Sequence, residues 1–101
     1  MGINIINNQG SVILELDGRL DSSTAASLQT DLIAQIENGV DVVLDFSKLQ
    51  YVSSAGLRVF LMGEKAAKSK DITMKLVNVS PDIMEVFEMT GFANVLKIEV
   101  A

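Results

Sequence analysis

Between Val40 and Phe46 the chain reads V-D-V-V-L-D-F, with V-V-L at its centre and no clean alternation of apolar and polar residues. Such a run reads as a central strand covered on both faces, so its neighbours must include helices. The rest of the chain supplies them. Ile3 to Asn7 and Val12 to Leu16 are two short alternating runs separated by Asn8-Gln9-Gly10-Ser11, a hairpin signal. Asp17-Gly18-Arg19-Leu20 then carries the chain out of the sheet, and Asp21, Ser22 or Ser23 caps a helix in which Ala25, Leu28, Leu32 and Ile36 form one apolar stripe before Gly39. A second helix is predicted from about Ser54 to Lys70. Leu57, Phe60, Leu61, Glu64 and Lys68 lie on one side of it, with Val59, Met62 and Ala66 widening the apolar area. Ile72 to Val77 reads as a strand, and Ser80-Pro81 as a helix start. Gly91 closes that helix, and Val95 to Val100 is the last strand.

The order is strand, strand, helix, strand, helix, strand, helix, strand. This predicts one α/β domain over residues 1–101, a mixed and mainly parallel sheet with right-handed crossovers and helices packed against it. At 101 residues there is room for one core and not two.

Composition narrows the chemistry. The chain has no cysteine and no histidine, which removes disulfides, thiolate metal sites, thiol nucleophiles and any imidazole base. Neither G-x-x-x-x-G-K-[ST] nor G-x-G-x-x-G occurs, so no nucleotide cofactor is expected, and no metal. A net charge of −5, from 8 basic and 13 acidic residues, argues against a nucleic-acid partner. The only basic cluster, Lys65, Lys68 and Lys70, falls in the last turns of the second helix, where it reads as a solvated face complementing the C-terminal dipole, with phosphate binding as the alternative. The opening Met-Gly-Ile-Asn-Ile lacks a basic segment followed by a long apolar run, and no window approaches the roughly 18 apolar residues of a membrane span, so neither a signal peptide nor a span is expected. A cytoplasmic protein without membrane insertion is expected.

What remains is a pair of hydroxyls. In V-S-S-A-G-L, Val52 to Leu57, the serines Ser53 and Ser54 stand where an apolar strand ends and a helix begins. Unpaired N–H groups and the helix dipole stabilise negative charge there, so the position suits a phosphoryl group. The bland reading is that Ser54 is the N-cap and Ser53 fills the loop. Gly56, a poor residue for a first helical turn, calls for the close approach of another backbone or of a bound protein.

Five segments in this order resemble a STAS domain of the bacterial anti-sigma factor antagonist type. They are L-D-G-R-L-D-S-S at Leu16 to Ser23, V-V-L-D-F-S at Val42 to Ser47, Y-V-S-S-A-G-L-R at Tyr51 to Arg58, L-V-N-V-S-P at Leu76 to Pro81, and the opening hairpin. The resemblance covers nearly the whole chain. The family's phosphoacceptor follows an aspartate in D-S-[ST]-G; here Ser53 stands in the aspartate's place, Ser54 in the acceptor's, Ala55 in that of the second hydroxyl residue and Gly56 in the glycine's. The resemblance thus implies Ser54 as phosphoacceptor, with Ser53 as runner-up. It implies a partner surface of Asp21, Ser22, Ser23, Thr24, Ser53, Ser54, Ala55, Gly56, Leu57, Arg58 and Met62, supported by Asp45. Asp21 also reads as a helix cap and Asp45 as a strand terminator, and Met62 as core or semi-buried packing.

The implied function is regulatory and not enzymatic. The unphosphorylated protein binds an anti-sigma factor that is also a serine kinase and so frees the sigma factor; phosphorylation at Ser54 ends the binding, and a serine phosphatase resets the switch. The alternative is a STAS adaptor that is not phosphorylated, or a cytosolic subunit of a transporter-associated complex. The surface around Met84 and Met89 reads equally as packing or as a dimer interface.

Overall fold

A computed structural model describes all 101 residues. Strands Gly2–Asn8 (β1), Ser11–Leu20 (β2), Asp41–Val52 (β3), Met74–Val79 (β4) and Lys97–Val100 (β5) form one sheet in the order of the chain. Helices Ala25–Glu37 (α1), Ser54–Ser69 (α2) and Pro81–Thr90 (α3) link the last four strands, and a 3-10 turn at Phe92–Asn94 precedes β5. β1 pairs antiparallel with β2, and every later pair is parallel. Element order and sheet type are those expected from the sequence.

The covering of β3 is not. Val42, Leu44 and Phe46 are buried, whereas Val43 and Asp45, which point the other way, are only half-buried. The neighbouring strands repeat this pattern, with Val12, Leu14 and Leu16 buried in β2 and Met74 and Leu76 in β4. Their alternate residues Ile13, Glu15, Lys75 and Val77 lie on the exposed side. Topology explains the one-sided core. Each parallel strand is added on the same side of the one before it, and right-handed crossovers that all step in one direction deposit all their helices on one face. Covering both faces requires the strand order to reverse.

β2 and β3 also run further than their alternation predicts. Asp17 to Leu20 stays in the sheet, and β3 continues past Phe46 to Val52. Two register shifts, between Glu15 and Asp17 and between Gly18 and Arg19, give β3 extra residues opposite β2. The next buried residues after Phe46 are therefore Leu49 and Val52, a spacing of three that hides the strand.

The core joins β3, α2 and α3 through Phe46, Phe60 and Phe87, with ring centroids 5.3, 6.2 and 6.1 Å apart. α2 lies close against its neighbours at Gly63, where a Cβ would meet Leu32 Cδ2 at 2.7 Å and Met74 Sδ at 2.9 Å. Glu64 is carried into this interior at 2% exposure. Its Oε2 lies 3.5 Å from Lys97 Nζ and 3.9 Å from Lys68 Nζ, while Oε1 has no hydrogen-bond partner. Met84 packs against the core, and Met89 is exposed.

Candidate functional site

β2 and β3 stay paired up to Leu20 and Val52, so Asp21 and Ser53 leave the sheet side by side. The Ser53 N–H donates to the Leu20 carbonyl at 2.8 Å, tying the start of α2 to the end of β2. This juxtaposition brings together two segments about thirty residues apart, the 21–24 turn and the first turn of α2.

The two serines divide their work differently from the bland expectation. Ser53, not Ser54, is the N-cap: it has extended backbone, φ −92° and ψ 174°, and its Oγ accepts from the Gly56 N–H at 3.4 Å. Ser54 is the first helical residue, exposed, and its hydroxyl makes no hydrogen bond within the protein. A hydroxyl at Ser53 thus does the capping that a carboxylate at that position would do.

Gly56 answers to packing inside the molecule. A Cβ there would meet Leu20 Cγ at 2.6 Å, Leu20 Cδ2 at 2.7 Å and Val52 Cγ1 at 3.2 Å. The close neighbours are side chains of its own sheet, neither a second backbone nor a bound protein. Gly56 and Leu57 are buried, so they hold α2 in place and do not belong to the exposed surface predicted for them.

In the 21–24 turn the Asp21 carboxylate accepts from the Ser23 hydroxyl at 2.6 Å and the Ser23 N–H at 3.0 Å. These hydrogen bonds hold its carboxyl below the usual carboxylate range, with a smaller contribution from Thr24. Thr24 is the residue before α1 and makes no side-chain cap bond to it. Its hydroxyl instead donates to the Arg19 carbonyl at 3.0 Å and accepts from the Asp21 N–H at 2.9 Å. Asp21 therefore caps a turn that leads into α1, and Thr24 fastens that turn to β2.

Between the N-terminal halves of α1 and α2 lies a shallow groove of roughly 510 Å3. Ser22, Ala55, Arg58 and Met62 line it, four residues the sequence had placed on one surface. Ala26 and Gln29 line it as well, and the sequence reading had passed over them. Their spacing of four and seven from Ser22, along the edge of the buried α1 stripe, was the available signal.

Asp45 does not join this group. It stands on the open face of the sheet, seven residues before the end of β3, and accepts from the Asn78 side-chain amide at 3.0 Å and the Ser47 N–H at 2.9 Å. Partial burial pushes its carboxyl upward, but the Asn78 and Ser47 hydrogen bonds prevail and keep it below the usual range. Asn78 reaches it from a left-handed backbone conformation, φ 56°, which asparagine tolerates.

No cluster of three or more acidic residues here could hold a metal ion, and no helix is long and apolar enough to cross a membrane. The arrangement is that of a small α/β domain presenting the unbonded hydroxyl of Ser54 beside a groove that Ser22 also lines. The sequence profile of the STAS domain matches residues 2–100, and the chain belongs to that family. Among similar proteins, BtrV of Bordetella bronchiseptica, described as a candidate anti-sigma factor antagonist, is 38% identical over 90 residues, 88% of this chain and 78% of that protein. The anti-sigma-B factor antagonist of Bacillus subtilis is 26% identical over 98 residues, covering 97% and 90% of the two chains. The fold is also that of SpoIIAA, an anti-sigma factor antagonist solved in its unphosphorylated form, at TM-score 0.78 and 19% identity over 99% of this chain and 89% of that one. SpoIIAA has been solved in its phosphorylated form too, with TM-score 0.75 and 19% identity over 96% and 90% of the chains.

Proposed function

We propose that this protein is an anti-sigma factor antagonist controlled by phosphorylation of Ser54. Unmodified, it binds an anti-sigma factor with serine kinase activity through the 21–24 turn, the exposed residues Ser54 and Arg58, the half-buried Ala55, and the groove lined by Met62; the sigma factor is thereby freed. The kinase then transfers the γ-phosphoryl group of ATP. The Ser54 Oγ–P bond forms as the bridging P–O bond to ADP breaks, and the hydroxyl proton passes to a base on the kinase. A serine phosphatase restores the hydroxyl, water taking the phosphoryl group as inorganic phosphate. The chain is the substrate and binding module of this cycle, working in the cytoplasm without contact to nucleic acid.

The observation that carries this reading is the division of labour at the head of α2: Ser53 is engaged as the cap, and Ser54 is exposed with its hydroxyl unbonded. A phosphoserine brings about −1.5 to −2 charges to that spot, which the helix N-terminus tolerates and an acidic partner surface does not. Several kcal/mol of repulsion and desolvation correspond to a loss of about 100-fold or more in affinity. The test is incubation with ATP and the candidate anti-sigma kinases of the host, followed by peptide mass spectrometry and a binding isotherm before and after. One phosphate on Ser54 with weakened binding is expected, and Ser54→Asp should bind weakly without ATP. No phosphate from any kinase, with stable association to another complex, would replace the switch by a constitutive adaptor.

A further inference from the structure

We propose that Arg58 is the built-in counter-ion of a phosphate on Ser54. The inference rests on the reading of Ser54 as phosphoacceptor. It adds that the modified side chain is gripped by the protein that carries it, and that the grip takes a cation away from the partner surface.

The two residues are four apart on α2, which is helical from Ser54 to Ser69. Side chains at this spacing are surface neighbours, with Cβ atoms about 5 to 6 Å apart, and the acidic member lies N-terminal to the basic one, the favourable orientation. Arg58 is exposed and forms no ion pair or hydrogen bond in the unmodified protein. Of the eight basic residues, Arg58, Lys48, Lys65 and Lys70 stand without a partner, and Arg58 alone of these lies four residues after Ser54 on α2. Lys68 and Lys97 approach Glu64, Lys75 pairs with Glu99 at 3.0 Å, and the Arg19 guanidinium sits 4.2 Å from the centre of the Tyr51 ring. Across the groove, α1 and the turn before it present Ser22, Ala25, Ala26 and Gln29, none of them a carboxylate that could compete for Arg58. The nearby Asp21 carboxylate is held within its own turn by Ser23.

A guanidinium is a planar fork of donors that matches two phosphate oxygens at once, and it stays charged at any pH the protein survives. Unmodified, Arg58 stands free at the mouth of the groove, ready for an acidic group on the partner. Phosphorylation draws it toward residue 54. The surface then gains about 1.5 to 2 negative charges and loses the use of one positive charge in the same step.

The test installs phosphoserine at position 54 by genetic encoding, so that no kinase is needed, and follows the second ionisation of the phosphate by 31P NMR in the full chain. The wild-type arginine should lower that pKa by at least about 0.3 unit relative to Arg58→Gln. Arg58→Lys should recover part of the difference, because it keeps the charge and loses the fork. The difference should disappear in roughly 1 M salt, where the screening length falls to about 3 Å. Equal pKa values at low salt for the wild type and both variants would overturn the proposal. Failure of every kinase to modify Ser54 would remove the switch reading and leave this titration unaffected, so the two results are separable.

Discussion

Exchanging the two serines for alanine, one at a time, tests the assignment of the cap. Ser53 Oγ accepts from the Gly56 N–H at 3.4 Å, a long bond, and Ser54 accepts from nothing. An N-cap serine is worth about 0.5 to 2 kcal/mol over alanine, and the length of this bond places Ser53 in the lower half, at about 0.5 to 1 kcal/mol. For a domain of this size that corresponds to a fall of roughly 2 to 5 °C in Tm. Ser54→Ala removes no bond and places a good helix former at the first helical position, so its effect should stay within about 0.5 kcal/mol. Ser53→Asp keeps an acceptor and adds a negative charge at the positive end of α2, so it should match or exceed the wild type, by about 0.3 to 1 kcal/mol at low salt. Urea unfolding with a common m-value reads all three. The reasoning is refuted if Ser54→Ala costs as much as Ser53→Ala, or if Ser53→Asp is the least stable of the three.

Gly56→Ala should destabilise by about 1 to 2 kcal/mol, because the added methyl meets Leu20 at 2.6 Å and overpacking outweighs the gain of about 1 kcal/mol in helix propensity; a more stable variant in the same urea assay would contradict the packing. Asp45 makes a pH-dependent contribution. Its carboxyl is depressed in the folded state from an unfolded value near 3.8, so its stabilisation is present above that value and is lost as pH falls through the folded one. Asn78→Gly removes the amide donor and keeps the left-handed backbone, φ 56°, free of strain, so its acid-unfolding midpoint should move to higher pH; an unchanged midpoint would show that the Asn78 bond does not set the depression.

The legibility of the chain follows from where its signals are local. The α1 stripe of Ala25, Leu28, Leu32 and Ile36 is buried as its spacing requires, and Ser80-Pro81 and Gly91 bound α3 because caps act within a turn. The single-sided core was not legible in V-V-L, since one face of a sheet can keep valines half-buried without any helix over them. That outcome depended on the direction in which successive strands were added, which no short window records. The extended β3 was hidden by its register shifts, which carry Ser47, Lys48 and Gln50 through the strand. At the site, the V-S-S-A-G-L motif located the exposed hydroxyl. Which serine caps depended on a one-residue choice of helix start, and Asp45 was misplaced because its position along a strand does not say which face it occupies.

The tie between the Ser53 N–H and the Leu20 carbonyl, together with the single residue that separates β3 from α2, constrains how any kinase could reach the proposed acceptor Ser54. The acceptor cannot be drawn out as an extended strand, the shape in which a flexible loop would enter an active-site cleft, without undoing the first turn of α2 and the Gly56 contact with Leu20. An enzyme acting on Ser54 as proposed would therefore dock on the assembled domain and bring its own cleft to the hydroxyl. A short synthetic peptide spanning Tyr51 to Arg58 would carry the same residues and lack the shape that presents them.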